Sequence, residues 1–229
     1  MIKIKLINHS SVLIQDNNSF VLTDPWHETP AFGSWLPTPP TSVHPAYLVA
    51  LSKTVKDFTI LISHGHDDHI DNKFLSLFPK DINIVIPKYR SVGFCKRIAN
   101  LGFTKITQVD TEGATIGAFK FNSFINPEIS LDDALLTIQS SNNLIIHAND
   151  NWQKINNKNF NLLKKITSKF KSDEILYMSQ CNLADGWPNI YKNYSQKEKA
   201  MIHRERVHNI TYHSLKNADN LNCKFFLNY

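Results

Sequence analysis

The sequence HGHDDH occupies residues 64–69 and directly follows the apolar run FTILIS at residues 58–63. It places three imidazoles and two carboxylates within six residues. The apolar run has the length of a buried strand, so these polar side chains are expected in the loop where that strand ends. A strand that ends in a group of metal-ligand side chains indicates a site for one or two divalent cations.

The spacing within this loop divides the candidate ligands between two positions. In an extended loop, residues two apart point the same way, so His64 and His66 are expected to converge on one cation. Asp68 and His69 follow directly and are expected to reach a second cation nearby. Imidazole and carboxylate groups suit zinc, and also iron or manganese. A single histidine would indicate only a polar loop, but three within six residues favour metal binding.

The composition indicates a globular protein with a substantial core. The length of 229 residues fits one large domain, and no linker-like stretch divides it, so we predict a single domain over residues 1–229. Lys and Arg exceed Asp and Glu by 25 − 20 = 5. This small surplus fits a small anionic substrate or ordinary surface composition. Because no long run of like charges occurs, a nucleic-acid partner is not favoured.

The cysteines and the hydropathy pattern point to a cytoplasmic protein. Cys95, Cys181 and Cys223 stand far apart and form no CxxC pair, which argues against a disulfide framework and a cysteine zinc knuckle. No apolar run reaches the roughly eighteen residues of a membrane span. The chain begins with an alternating strand pattern instead of a signal peptide. We therefore predict no membrane association.

The order of predicted elements is a run of strands, then helices alternating with strands. Strands are predicted at residues 2–6, 12–14, 20–22, 58–63, 83–86, 105–109, 119–124, 134–138, 144–147, 175–178 and 223–227, and helices at 72–78, 89–101, 160–170 and 195–216. Two sheets with helices packed outside satisfy this order. Six prolines between residues 25 and 45 exclude helix and central strand there. We expect a long loop stiffened by Trp26, Phe32 and Trp35, with a disordered insertion as the alternative.

Residues 62–71, ISHGHDDHID, resemble the metal-binding signature of the metallo-β-lactamase superfamily. The resemblance implies an α+β fold, a four-layer αββα sandwich of two mixed sheets with helices outside and ligands in loops along one edge. It implies that His64 and His66 serve the first metal, and that Asp68 and His69 serve the second.

Three further stretches carry the same resemblance. Residues 8–14, NHSSVLI, look like the opening hairpin of the lactonase-like branch. Residues 23–26 match the early aspartate, here Asp24, that braces the histidine loop. Residues 145–150 resemble the later strand whose terminal aspartate, here Asp150, bridges both metals. The alternative role of Asp150 is a helix N-cap before Trp152.

Within the superfamily, the proline-rich stretch and residues 24–26, 30–32, 126–129 and 185–188 look closest to the metallo-β-lactamase-like domain of CMP-N-acetylneuraminate hydroxylase and its bacterial relatives. The paired Cys-x-His elements of a Rieske iron–sulfur centre are missing, so the full hydroxylation mechanism is unsupported.

Two histidines expected from the resemblance are missing. No histidine occurs from Ile70 to Ile146, and Asn126 occupies the equivalent place. Either Glu128 compensates as a ligand or Asn126 simply turns the loop. A last histidine is expected after the final strand, where only two residues follow, so either it is absent or the chain lacks the end of the family fold. Three histidines on the polar helix are expected to be solvated: His203, His208 and His213.

These features predict a metal-dependent hydrolase of an ester, lactone or phosphoester. A bound Zn²⁺ lowers the pKa of water to about 7, and Asp68 or Asp150 would orient that water or act as general base. A basic group near one helix mildly favours a sugar phosphate or nucleotide sugar: Lys88, Arg90, Lys96 and Arg97. Two alternatives remain open, namely an iron-binding redox or hydroxylase-related domain that needs an electron-delivering partner, and a non-catalytic domain with a degenerate metal site.

Overall fold

A computed structural model describes residues 2–27, 29–37, 40–41, 43–127, 130–150, 155–181, 183 and 186–229. The first six strands form one sheet in the order of the sequence: β1 (Lys3–Asn8), β2 (Ser11–Asp16), β3 (Ser19–Thr23), β4 (Asp57–Leu61), β5 (Asn83–Pro87) and β6 (Lys105–Val109). The next six form a second sheet in the same way: β7 (Ala114–Ile116), β8 (Phe119–Ile125), β9 (Ala134–Gln139), β10 (Leu144–Asn149), β11 (Ile175–Ser179) and β12 (Phe225–Asn228).

Both sheets are mixed. In the first sheet β1 to β3 pair antiparallel, while β3 to β6 pair in parallel. In the second sheet β7 to β10 pair antiparallel, while β10 to β12 pair in parallel. Parallel neighbours need crossover connections, and in the described part of the chain five α-helices lie in the segments outside the strands: α1 (Pro45–Thr54), α2 (Asn72–Leu75), α3 (Gly93–Asn100), α4 (Asn157–Thr167) and α5 (Gln196–Asn220).

Alternation along the strands builds four layers. Ile60 and Leu61 are adjacent on β4 and fully buried, yet they enter different cores because successive side chains point to opposite faces. Ile60 packs with residues of α1, α2 and α3, including Leu48, whereas Leu61 packs between the sheets with residues such as Phe121. A third core joins the outer face of the second sheet to α4 and α5. The predicted αββα sandwich is confirmed.

The helix boundaries follow local capping chemistry. The long polar helix α5 begins after Ser195, whose hydroxyl accepts from the Glu198 backbone while the Glu198 carboxylate accepts from the Ser195 N–H. The helix predicted from residue 89 begins only at Gly93, because Tyr89 turns inward and its hydroxyl donates to the Ser63 carbonyl. Among the described residues, no helix is both long and apolar enough to cross a membrane.

Helix α1 and strand β7 are among the elements that the sequence pattern missed. Helix α1 begins inside the end of the proline-rich stretch, with Pro45 in its first turn and His44 as its N-cap. Proline suits the first helical turn, so the last of the six prolines starts a helix. Strand β7 has only three residues, too few to show an alternating pattern.

The ends of several strands meet along one edge of the sandwich. Asp24 directly follows β3, and its N–H donates to the carbonyl of Leu61 at the end of β4. The histidine loop continues from β4, and Asp150 follows β10 of the second sheet. The turn between β1 and β2, which carries His9, lies at the same edge, since the His9 and His69 ring centroids are 5.6 Å apart.

Candidate metal centre

The Asp24 carboxylate is the hub of the histidine loop. It is fully buried and accepts hydrogen bonds from the Ser63 N–H at 2.7 Å and the Ser63 hydroxyl at 2.9 Å. The same carboxylate lies 3.1 Å from His69 Nδ1 and 3.0 Å from His147 Nε2. Burial raises the pKa of Asp24, but the imidazoles of His69 and His147 outweigh this effect and hold that pKa well below its usual range.

The first group of ligand atoms, called the outer cluster, consists of His64, His66 and Asp150. Its ligand atoms all lie within 4.8 Å of one another. His64 Nε2 is 2.9 Å from His66 Nδ1 and 3.7 Å from Asp150 Oδ2. Burial and the neighbouring His69 lower the pKa of His64 to about 3. A neutral His64 has a free lone pair for a cation.

The second group, called the inner cluster, consists of His9, Asp68 and His69, again within 4.8 Å of one another. Asp68 Oδ2 lies 3.6 Å from His9 Nε2 and 3.9 Å from His69 Nε2. Burial raises the pKa of Asp68, but His9 and His69 outweigh it and lower that pKa. This cluster is more enclosed, because Asp68 and His69 are both buried whereas His66 of the outer cluster is exposed.

The Asp150 carboxylate lies between the two clusters. Its Oδ2 is 3.7 Å from His64 Nε2, and its Oδ1 is 3.5 Å from His69 Nε2. Burial raises the pKa of Asp150, but His69 outweighs it and holds that pKa well below its usual range. Asp150 therefore presents one carboxylate oxygen to each cluster.

The donor atoms fit divalent cations. Among the described residues, the buried atoms His69 Nε2 and Asp68 Oδ1 have no hydrogen-bond partner, although buried polar atoms are normally satisfied. Two ligands of a tetrahedral zinc lie roughly 3.3–3.4 Å apart, since each bond is about 2.0–2.1 Å long. The separations of 3.5–3.9 Å to the Asp68 and Asp150 oxygens need only a small contraction.

The remaining imidazole nitrogens are held from behind. His69 Nδ1 is engaged by Asp24, and His64 Nδ1 lies 3.0 Å from the Ser63 hydroxyl. Such contacts fix the tautomer and ring orientation of a ligating histidine. The Nε2 atoms of both rings are thereby directed toward the two clusters.

Comparison with known proteins identifies the family of this chain. The family described as the beta-lactamase superfamily domain matches residues 3–167, more than half of the chain. The chain belongs to the metallo-β-lactamase superfamily. This confirms the resemblance carried by residues 62–71.

Individual relatives of the superfamily are distant. CmlA, a diiron beta-hydroxylase from Streptomyces venezuelae, has a TM-score of 0.60 at 14% identity, covering 99% of this chain and 44% of its own. Igni18, a metallo hydrolase from Ignicoccus hospitalis, has a TM-score of 0.52 at 13% identity, covering 99% and 94%. A protein from Mycolicibacterium smegmatis, named for a Rieske 2Fe-2S iron–sulfur centre, is 31% identical over 98 residues. That match covers 42% of this chain but only 18% of the relative.

The structure brings together all five residues that the sequence predicts as metal ligands. His64, His66 and Asp150 lie in the outer cluster, and Asp68 and His69 lie in the inner one. The alternative role of Asp150, a helix N-cap before Trp152, depends on residues 151–154, which lie outside the described residues; α4 itself has Asn156 as its N-cap.

Asn126, which occupies the place of the missing third histidine, makes hydrogen bonds within its loop and to Asn156. The Asn126 side-chain oxygen accepts from Asn156 Nδ2 at 3.1 Å, and its carbonyl accepts from the Ser130 N–H at 3.0 Å, which ties its loop to α4. Glu128, Trp152 and Asp185 lie outside the described residues.

On α5, His203 and His208 are exposed, and His213 is half-buried with its ring beside Tyr212.

Four residues near the clusters were not assigned a role from the sequence. His9 belongs to the inner cluster. Asp133 is buried, with Oδ1 3.6 Å from His64 Nδ1, and burial together with the Asp150 carboxylate raises its pKa. His147 and Tyr229 extend the hub, because the Tyr229 hydroxyl lies 3.0 Å from His147 Nδ1. No local spacing links these residues to HGHDDH; only the fold brings them near.

A pocket of about 330 Å³ opens beside His66. Its other lining residues are Gly65, Tyr89, Ser91, Gly93, Phe94, Arg97 and Asp132. Arg97 Nη1 donates to the Gly65 carbonyl at 2.6 Å, and Arg97 Nη2 lies 3.6 Å from the Asp67 carboxylate. The guanidinium is thus fixed beside the histidine loop.

The proline-rich loop also lies near His66, through the ring of Phe32. Phe32, half exposed, has its ring centroid 6.4 Å from that of His66 and 5.3 Å from the Trp35 ring. The loop is fastened at its base, because Trp26 Nε1 donates to the Thr29 carbonyl at 2.7 Å. In the described part of the loop, these contacts join Phe32 to Trp35 and Trp26 to Thr29.

Proposed function

We propose that this protein is a metal-dependent hydrolase that binds up to two divalent cations and cleaves an ester, lactone or phosphoester. The observation that carries the proposal is the placement of Asp150, whose two oxygens face the outer and the inner cluster at 3.7 and 3.5 Å. A carboxylate shared in this way suits a pair of neighbouring cations. Distant fold relatives such as Igni18, a metallo hydrolase, support the same reaction class.

The ligands would divide between the two cations. His64, His66 and Asp150 would hold the first, and Asp68, His69 and Asp150 the second. Zinc suits this mixture of imidazole and carboxylate, and iron or manganese are alternatives. When bound, such cations lower the pKa of water and stabilise negative charge that develops on a substrate oxygen.

The chain's own carboxylates would manage the proton. The lowered pKa values of Asp68 and Asp150 keep both groups ionised at neutral pH, so either can accept a hydrogen bond from an attacking water. Asp68 Oδ1, buried without a hydrogen-bond partner among the described residues, is available for this role. Asp133, with its raised pKa, would keep its proton to a higher pH than an ordinary carboxyl group.

We further propose that the substrate is a small anion such as a sugar phosphate or nucleotide sugar. The pocket beside His66 supports this, because Arg97 contributes a fixed positive charge and Tyr89 and Phe94 contribute flat apolar surface. Asp132 is the acidic residue in the lining, so the anionic group would bind on the Arg97 side.

The test is a hydrolysis screen of the zinc-, manganese- and iron-loaded protein with aryl esters, lactones, aryl phosphomonoesters and aryl phosphodiesters. We expect at least one class to be cleaved, and Asp150→Asn to abolish that activity. Arg97→Gln should raise KM for a phosphorylated substrate while leaving KM for a neutral ester unchanged. Stoichiometric metal with no cleavage of any class would refute the hydrolase.

An iron-dependent redox function is the second candidate. It is supported by the likeness to CmlA, named as a diiron beta-hydroxylase, and to the M. smegmatis protein named for a Rieske centre. The same ligands would hold iron, and a partner would deliver electrons. Stoichiometric iron after purification without added zinc, with reductant-dependent oxygen consumption, would favour this candidate. Failure of the stripped protein to bind even one zinc ion would instead favour a non-catalytic domain.

A further inference from the structure

We propose that His9 is a ligand of the second cation, completing the inner cluster from the turn between β1 and β2. The proposal rests on the proposed metal centre and adds a residue that the HGHDDH spacing does not supply. His9 Nε2 lies 3.6 Å from Asp68 Oδ2, and the ligand atoms of His9, Asp68 and His69 lie within 4.8 Å of one another.

The side-chain atoms of the inner cluster are arranged to hold a cation. Asp68 Oδ1 and His69 Nε2 are buried and have no hydrogen-bond partner among the described residues. His9 Nε2 and Asp68 Oδ2 are further apart than a hydrogen bond allows. A direct His9–Asp68 interaction therefore leaves the inner cluster unsatisfied, whereas a cation among the three side chains would satisfy it.

The backbone holds His9 in an uncommon conformation. His9 follows β1 in the tight turn to β2 and has φ 35°, a left-handed value that non-glycine residues rarely adopt. Such conformations persist where surrounding contacts impose them, and they concentrate at functional sites. A glycine would adopt this turn without strain, so the imidazole is present at a conformational cost.

Contacts on both sides of His9 fix its direction. Asn8 Nδ2 donates to the Trp26 carbonyl at 3.0 Å, and the Ser10 hydroxyl lies 3.1 Å from His69 Nδ1. The Trp26 ring packs edge-on against the His9 ring, with centroids 5.2 Å apart. His9 is therefore positioned in advance on the face of the inner cluster that the histidine loop leaves open.

The C-terminal strand does not complete the inner cluster. Among the described residues, neither cluster includes a side chain from beyond Asp150. The Tyr229 hydroxyl at that end is directed instead to His147. His9 supplies the imidazole that the inner cluster would otherwise lack.

The experiment is a zinc titration of the metal-stripped full chain, followed by native mass spectrometry and with Co²⁺ absorption as a second readout. His9→Gly removes the imidazole and tolerates the turn, and His9→Asn keeps a side chain that accepts left-handed φ. His208→Ala removes an exposed imidazole on α5 and is the matched control.

We expect wild type and His208→Ala to bind two ions. Both His9 variants should keep the first ion at wild-type affinity and bind the second at least about 10–100-fold more weakly. Removing a group that only hydrogen-bonds to a metal ligand already causes a loss of that size. The Co²⁺ spectrum should lose the contribution of the second ion.

Several outcomes would overturn the assignment of His9. They are wild-type affinity for two ions in either His9 variant, or a wild type that binds only one ion. An anomalous-scattering map of zinc-loaded crystals with His9 Nε2 far from both ions would do the same. Two bound ions without hydrolysis would refute the proposed reaction alone, so the two failures are distinguishable.

Discussion

The outer and inner clusters share the Asp150 carboxylate but differ in their surroundings. The outer cluster ends at an exposed histidine, His66, beside the pocket and the Phe32 ring. The inner cluster is enclosed by buried Asp68 and His69 and is tied directly to the Asp24 hub. Under the proposed function, the outer position would meet the substrate, and the inner position would be anchored to the scaffold.

Replacing the shared carboxylate should have the largest effect. Asp150→Asn removes the charge that faces both clusters, so the affinity for both ions should fall by more than about 100-fold. This loss exceeds the one caused by removing a group that only hydrogen-bonds to a metal ligand. Zinc content after dialysis measures this. Asp67→Asn in the same loop, which removes an exposed acid, is the control and should retain two ions. Retention of one ion at full affinity by Asp150→Asn would show that Asp150 serves only one cluster.

Replacing the hub should separate the clusters. Asp24 contacts His69 directly but reaches His64 only through the Ser63 hydroxyl. We expect Asp24→Asn to weaken the inner ion by about 10–100-fold and the outer ion less. Competition with a chelating dye measures both steps. Wild-type affinity would show that Asp24 is only a turn residue.

The pH dependence of binding should also differ between the clusters. Burial lowers the pKa of His69, but Asp150 and Asp24 outweigh it and raise that pKa well above its usual value. We therefore expect His69 to carry a proton at neutral pH when no ion is bound, so that the inner ion must displace this proton. The affinity for that ion should rise by about tenfold per pH unit up to the His69 pKa.

The outer ion provides the internal comparison for this pH series. His64, with a pKa of about 3, is already neutral and offers no competing proton. Affinity for the outer ion should therefore rise less steeply between pH 6 and pH 8. Equal slopes for the two ions would contradict the assignment of the proton to His69.

The smallest expected effect lies behind the hub. Tyr229→Phe leaves buried His147 Nδ1 without its hydroxyl partner, which should lower the free energy of unfolding by about 1–3 kcal/mol. Metal affinity should change less than in Asp24→Asn, because two residues, His147 and Asp24, stand between Tyr229 and His69. Denaturant unfolding measures the first quantity. The exposed Tyr212→Phe is the control and should stay within about 0.5 kcal/mol of wild type.

The part of the metal centre that could be predicted from the sequence is the histidine loop, whose residues are close together in the chain. HGHDDH follows a buried strand, and residues two or five apart in one loop must lie near each other whatever the rest of the chain does. The four layers were also predictable, because strand and helix periods are readable from the sequence. Asp24 and Asp150 were found only through family resemblance.

The unpredicted part is non-local. His9 stands 59 residues before Asp68 in the chain, and only the sheet order β1-β2-β3-β4 brings it to the inner cluster. Asp133 reaches His64 from the start of β9 in the other sheet. Helix α1 was hidden by proline, which excludes a helix interior but suits its first turn.

Three of the turns at this edge have left-handed backbone at a non-glycine residue, namely His9 at φ 35°, Asp24 at φ 35° and Asn149 at φ 48°. Such conformations persist where the surrounding packing imposes them, and here the packed sheets surround all three turns. Ligands held by the sheets need little rearrangement to bind an ion. The dimensions of the site then discriminate between cations, and stripping and reloading should be fast, reversible and independent of refolding.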